Sequence, residues 1–377
     1  MKIAVNFAYY GEKSGGLGEY IYNLCKNLYF LDKKNKYIFY ISLDQEEYWK
    51  TKLPFIKNYK IIPFKIHERT KRSLFQNSYW KKEEYLEKFD VFHSPFFHLP
   101  HCIKCKKIIT FHDLRLKNFP ETYKFRRRVF LEYAIRKSLN IVDKIITVSE
   151  FTKDELIKFY NISENKIIPI HEGIDYQRFN IDNITQDYEN KLLNKFNLNK
   201  KNYILTVGHL EPRKNLLRLI IAFKKLRKVC DKIDYLVIVG KKNFKYKKIL
   251  NEINKNKDSI IHLDFVHNND LNILYKNAKV FVFPSIYEGF GFPPLEAAIF
   301  GIPSAVSKTS SMPEICEDAV LYFNPFNTED IKSKILMLLN NNSLYNELKI
   351  KAQNNLKRFS WEKNVIKTID VYNETYQ

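Results

Sequence analysis

The chain has 377 residues, 45% of them hydrophobic and 15% aromatic. That is enough apolar surface for packed cores and excludes wholesale disorder. No apolar run is long enough to span a bilayer, and five cysteines, an odd number, argue against a disulfide framework and for a reducing cytosol. The formal charge of +21 has two readings. One is an anionic partner: a nucleic acid, a membrane surface or a phosphorylated substrate. The other is a composition biased toward Lys, Asn, Ile, Tyr and Phe, with no functional meaning.

In chain order, MKIAVNFAYYG reads as a first strand, with no small-residue cleavage site like that of a signal peptide. Further apolar runs predict strands at 37–42, 59–64, 91–93, 107–111, 144–148 and 167–170, with helices such as 18–31 and 125–140 between them. Residues 104–137 form a basic stretch interleaved with Phe119, Tyr123, Phe125, Phe130 and Tyr133. Such a helix either meets an anionic membrane or turns its aromatics into the core. Thr152 with Glu155 reads as a capping box. Residues 175–201, rich in Asn, Asp and Lys, read as a linker. A second series of strands is expected at 203–207, 235–239, 260–263, 279–283, 303–306 and 319–323, and the chain ends in a helical stretch at 361–376.

Strand–helix alternation of this kind predicts α/β architecture: parallel sheets covered by helices on both faces, in two doubly wound Rossmann-like domains. The expected domains are 1–178 and 179–360, with 361–377 returning to the first. Ligands bind at the carboxyl ends of strands in such sheets, so a cleft between the domains is the expected site.

Three segments carry chemistry. In FVFPSIYEGFGFPPLE a buried strand runs into a loop with Glu288, Gly289 and Gly291 and then a helix opened by Pro293 and Pro294, with Glu296 expected in its first turn. A helix N-terminus reached through glycines suits an anion. Carboxylates do not bind phosphate, so Glu288 and Glu296 must face another part of the same ligand, and a sugar nucleotide satisfies both demands. Gly208 follows the strand 203–207, with Arg213 and Lys214 just before the helix expected at 215–229. Cations there oppose the helix dipole unless an anion joins them, and a diphosphate would do so. His112-Asp113 closes the strand 107–111, where the imidazole is placed to bond a sugar hydroxyl or is simply structural. The early glycines Gly11, Gly15, Gly16 and Gly18 match neither a dinucleotide fingerprint nor a P-loop, since Lys13 precedes the paired glycines. They suit a close backbone approach to phosphate, or a plain strand-to-helix turn.

Cys102 and Cys105 have zinc-like spacing beside His93, His98 and His101, but no second cysteine pair completes a site. No Asp-x-Asp occurs, so no metal and no cofactor is expected, and a diphosphate would be neutralised by protein cations and amides.

Taken together, EGFGFPPLEAAIFGIPSAVS, GGLGEY, FHDL, ITVSEFTKDEL, HEGID and VGHLEPRKN resemble the retaining family-4 glycosyltransferases of the GT-B fold. Among these they look most like bacterial mannosyltransferases that use GDP-mannose. The resemblance covers essentially the whole chain. It implies an acceptor-binding first domain and a nucleotide-sugar-binding second domain. It also implies that Glu288 contacts the donor sugar, that Glu296 binds the ribose, and that Arg213 and Lys214 hold the diphosphate. Gly16 would bring an amide near the phosphates, and His112 would lie by the sugar. The amides of Phe290, Gly291 and Phe292 would complete the anion cradle, and residues 307–314 would line the same edge. The family often has a smaller residue where Phe292 stands. The implied acceptor is a glycan or lipid-linked saccharide, with the enzyme in the cytoplasm and in peripheral contact with anionic membrane. Alternatives are another donor (UDP-glucose, a UDP-N-acetylhexosamine or a rhamnose donor), a sugar-nucleotide epimerase of the same fold, a partner subunit with a degraded site, or a nucleic-acid binder. No nucleic-acid module is recognisable.

Overall fold

The computed structural model describes residues 1–8, 16–53, 59–64, 69–182 and 184–377, with the side chains of 59 and 69–76 left aside. Gly11, Lys13 and Gly15 lie outside the described residues. The chain divides into two compact units: residues 1–174 with 359–377, and residues 175–358.

The first unit is built on a seven-stranded parallel sheet. Its strands are β1 (Lys2–Phe7), β2 (Lys36–Ser42), β3 (Tyr59–Phe64), β4 (Val91–Ser94), β5 (Lys106–Phe111), β6 (Lys144–Thr147) and β7 (Ile167–Pro169). The spatial order is β3-β2-β1-β4-β5-β6-β7. The chain starts in the middle, winds outward to β3 and then returns to lay β4 on the other side of β1. Helices cover both faces, which is why β2 reads KYIFYIS and is buried along all but its first residue. The last helix, Trp361–Tyr376, packs in this unit: Trp361, Val365, Val371 and Tyr372 join a core with Ile3, Val5, Tyr37 and Phe39.

The second unit holds a six-stranded parallel sheet. Its strands are β8 (Tyr203–Val207), β9 (Tyr235–Val239), β10 (Ile260–Leu263), β11 (Val280–Phe283), β12 (Ser304–Ser307) and β13 (Leu321–Phe323). The order is β10-β9-β8-β11-β12-β13. The winding reverses between β8 and β11, which are direct neighbours with Val280 opposite Ile204. That reversal fixes the site, because crevices in such sheets open at the switch point.

Three sequence expectations fail locally. The helix after β6 is Glu150–Tyr160, and its cap is Ser149, whose hydroxyl accepts from the Thr152 amide at 3.1 Å. The expected Thr152–Glu155 box lies inside the helix, with Glu155 accepting from Asn118 instead. Residues 175–201 are not a bare linker: the helix Gln186–Lys195, capped by Thr185, buries Glu189, Leu192 and Leu193 in the second unit. Its polar composition hides a narrow apolar stripe. Finally, the helix after β8 begins at Leu216, later than expected, because Asn215 adopts a left-handed conformation (φ 55°) and Pro212–Lys214 form a separate 3₁₀ turn.

Candidate active site

Arg213 and Lys214 follow β8, Glu288 follows β11, and β8 and β11 are adjacent parallel strands, so residues 74 positions apart emerge side by side. Ile286 donates its amide to the Arg213 carbonyl at 3.0 Å and stitches the two loops together. Arg213 and Lys214 thus project from a 3₁₀ turn, not from a helix N-terminus as expected. The anion their charge calls for is supplied by the chain itself. Lys214 Nζ meets Glu288 Oε1 at 2.5 Å, and Arg213 Nη1 meets Glu288 Oε2 at 2.9 Å. Arg213 also donates through Nε and Nη2 to Glu211 Oε1 at 3.0 and 2.7 Å, and through Nη1 to the Tyr287 carbonyl. Two carboxylates therefore balance two cations.

These side chains are largely sequestered, with 11–14% exposure for Arg213, Lys214 and Glu288 and 2% for Glu211. Burial alone would raise the Glu288 carboxyl. Arg213 and Lys214 outweigh it, and together with the Ser285 hydroxyl at 2.6 Å they hold Glu288 down to about 2. Burial pulls the Lys214 amine below its usual range, only partly offset by Glu288. The contact is an ion pair because Glu288 is held ionised by Arg213.

The Glu288 loop is clamped from β12. The Glu288 amide donates to Ser310 Oγ at 3.0 Å, and Ser311 Oγ faces the carbonyls of Glu288 and Phe290 at 3.0 and 2.7 Å. Gly291 has φ 105°, and a Cβ there would meet Met312 Cε at 2.1 Å, so only glycine fits. The helix Phe292–Ile299 then begins, with Gly291 as its cap and prolines in its first turn. Gly289 and Phe290 are buried, and the Phe290 and Phe292 rings lie 5.0 Å apart. Gly208 donates to the Val239 carbonyl at 2.8 Å, and a Cβ on Gly240 would meet the Gly208 carbonyl oxygen at 2.2 Å, so two glycines let the ends of β8 and β9 touch.

Glu296 belongs to a separate cluster and falls in the second turn of its helix rather than the first. It is buried, accepts from the Tyr275 hydroxyl at 2.7 Å and lies 3.9 Å from Arg178. In the first unit, His112 follows β5, with Nδ1 3.1 Å from Glu172 and Nε2 3.2 Å from the Pro95 carbonyl. The Tyr20 ring packs edge-on to it at 4.6 Å. Gly16 opens the helix Gly16–Leu31, and a Cβ there would meet nothing within 4 Å. Sequence reasoning placed Ser310 and Ser311 only within the edge 307–314, without their partners, and missed Glu211, Ser285 and Glu172. Glu211 and Glu172 stood in plain view in LEPRKN and HEGID, but nothing local says which cation or ring they hold. Among the described residues no cluster of three His, Cys, Asp or Glu could hold a metal. Cys102 donates to the Asn77 carbonyl.

Two doubly wound parallel-sheet units, the second with a carboxylate–cation cluster at its switch point, have the architecture of the GT-B enzymes. Family models agree: residues 14–178 match "Glycosyltransferase Family 4" and residues 189–355 match "Glycosyl transferases group 1". The chain is 31% identical to the O-antigen chain mannosyltransferase B of Escherichia coli, over 78% of this chain and 76% of that protein. It is also 31% identical to the O-antigen chain mannosyltransferase RfbU of Salmonella typhimurium, over 60% of this chain and 59% of that one. The fold is that of a glycosyltransferase from Rickettsia africae (TM-score 0.76, 18% identity, covering 100% of this chain and 98% of that one). The chain belongs to glycosyltransferase family 4, and it is a hexosyltransferase.

Proposed function

We propose that this enzyme transfers an α-mannosyl group from GDP-mannose, with retention of configuration, to a glycan or lipid-linked saccharide. The mannosyltransferase relatives support the sugar. The observation that carries the site is the Glu288–Arg213–Lys214 cluster at the ends of β8 and β11. A donor diphosphate would take over Lys214 and Arg213. Glu288, released from them, would accept hydrogen bonds from the sugar hydroxyls. Glu296 is assigned to the ribose hydroxyls, and the amides of Gly291 and Phe292 to a phosphate.

The chemistry is then electrostatic. As the bond between the anomeric carbon and the diphosphate oxygen breaks, negative charge grows on the departing GDP, where two cations already stand. The acceptor hydroxyl attacks from the same face and gives its proton to the leaving phosphate, so no enzyme nucleophile and no metal is needed. A screen of nucleotide sugars tests this reading. GDP-mannose should raise the melting temperature and be slowly hydrolysed to GDP. A stronger response to a UDP-sugar would overturn the donor assignment, and no response to any nucleotide sugar would overturn the site.

A further inference from the structure

The carboxyl ends of β12 and β13 frame a cavity of about 420 Å³ in the second unit. Its walls include Lys308 after β12, Asn324 and Phe326 after β13, and Asp330 and Lys334 on the helix Thr328–Asn340. The cavity opens on the same edge of the sheet as the Glu288 cluster. Thr309, also in its wall, directly precedes Ser310, which takes the Glu288 amide. The cavity is nonetheless separate from that cluster, since Arg213, Lys214, Glu288 and Glu296 are not among its lining residues.

The segment NPFNTED fastens the wall of this cavity. Asn324 donates its amide to Asp330 Oδ2 at 2.7 Å and accepts the Phe326 amide on Oδ1 at 3.0 Å. The Asn327 side chain caps the helix by accepting from the Glu329 and Asp330 amides. Asn215 Nδ2 donates to the Pro325 carbonyl at 2.8 Å and ties the segment to the loop after β8. These bonds present the Phe326 ring 60% exposed, with the Arg218 guanidinium 5.3 Å from its centroid. The polar groups around the ring have bonding capacity to spare. Lys308 Nζ, Lys334 Nζ and Asp330 Oδ1 have no partner among the described residues. Asp330 and Lys334 are spaced four apart, as helical ion pairs are, yet they line the cavity without pairing.

We infer that this cavity is a saccharide subsite, holding one sugar unit of a glycan away from the reacting end. The apolar C–H face of the sugar ring lies on Phe326, and its hydroxyls bond Asp330, Asn324, Lys308 and Lys334. A sugar matches this mixture because its hydroxyls both donate to a carboxylate and accept from ammonium groups, while one face of its ring is apolar. The volume is within the range of small-ligand sites, where a few placed polar groups fix orientation. A phosphate would gain from the two lysines but would meet the Asp330 carboxylate and leave Phe326 unused. The inference rests on the acceptor being a saccharide and not on the donor assignment. It gives the second unit a share in acceptor binding, which the sequence motifs assign to the first domain alone.

The test is saturation-transfer NMR of the full chain with free α-linked mannotriose, maltotriose and cellotriose, none of which carries a nucleotide. At least one is expected to bind. Phe326→Ala should lower its affinity by about tenfold, the scale of one apolar face returned to water. Asp330→Asn should lower it by about fivefold, through loss of a charge-assisted hydrogen bond. Both variants should keep the parent melting temperature, because the Phe326 ring is already exposed and asparagine still accepts the Asn324 amide. Both should also keep donor hydrolysis and stabilisation by donor, since neither residue belongs to the Glu288 cluster. Binding of no trisaccharide, or full binding by both variants, would overturn the subsite and leave the donor reading standing. Loss of donor hydrolysis in either variant would overturn it too, by placing that residue in the donor site. Stabilisation by inorganic phosphate that Lys308→Ser with Lys334→Ser abolishes, without trisaccharide binding, would assign the cavity to an anion instead.

Discussion

Glu288 has a double life at the residue scale. Without donor it neutralises Lys214 and Arg213; with donor it is assigned to the sugar. Replacing it should therefore move two measurements in opposite directions. Glu288→Gln is expected to lower turnover by about 100-fold, the scale of losing one strong transition-state contact. The same variant should bind free nucleoside diphosphate more tightly, because Lys214 no longer has a competing carboxylate. Steady-state kinetics and calorimetric titration check the pair, and weakened diphosphate binding would contradict the exchange of partners. Glu296→Ala should act on donor affinity rather than turnover. An unchanged donor Kd would remove Glu296 from the ribose. Arg213→Ala with Lys214→Ala should abolish transfer, and because both carboxylates then remain buried without their cations, the melting temperature should fall as well.

At the scale of elements, the helix Gln186–Lys195 is anchored by Glu189, 2% exposed and in contact with Lys276 at 2.7 Å, Lys200 at 3.1 Å and Asn277 at 3.1 Å. Burial would raise its carboxyl, but these partners hold it down to about 2. A carboxyl depressed in the folded state stabilises above its unfolded pKa, near 4.5, and loses that contribution as pH falls toward 2. Thermal melts of Glu189→Gln should lie below the parent at pH 7, and the gap should narrow steadily as pH falls from about 4.5 toward 2. A constant gap across that range would mean that packing, not charge, fixes the helix. A second element-level contact is Gly173 against the start of the last helix: a Cβ there would lie 2.2 Å from the Trp361 backbone nitrogen. Gly173→Ala must therefore displace backbone, and the expected cost is about 1–3 kcal/mol, read from denaturant unfolding.

At the scale of the whole molecule, the last helix belongs to the core of the first unit although it lies beyond the second in sequence. His93, fully buried in β4, is bonded to the Tyr372 hydroxyl at 2.7 Å and to Thr110 Oγ1 at 2.9 Å. Burial drives its imidazole down to about 3, so it is neutral, and its role is to tie the helix to the sheet. Removing residues 361–377 would expose Tyr37, Phe39 and the β4 histidine together. The truncated chain is expected to lose the cooperative unfolding of its first unit, as seen by circular dichroism and calorimetry.

The doubly wound architecture was legible because a strand buried on both faces must be written in apolar residues, as in YILTV, YLVIV and VFVF. Glu288, Arg213, Lys214 and the glycines beside them were picked out as candidates for a similar reason: a backbone turning tightly at a strand end leaves a local mark. What the sequence could not announce was pairing. That Lys214 meets Glu288, that Glu211 grips Arg213, and that Ser310 and Ser311 brace the Glu288 loop all follow from β8, β11 and β12 lying side by side, and strand order is a property of the sheet rather than of any segment. The same holds for the helix Phe125–Leu139. Its residues are compatible with aromatics turned inward or outward. Only packing against the sheet, which takes Ala134, Ile135 and Leu139 as the buried face, left Phe125, Phe130 and Tyr133 in water.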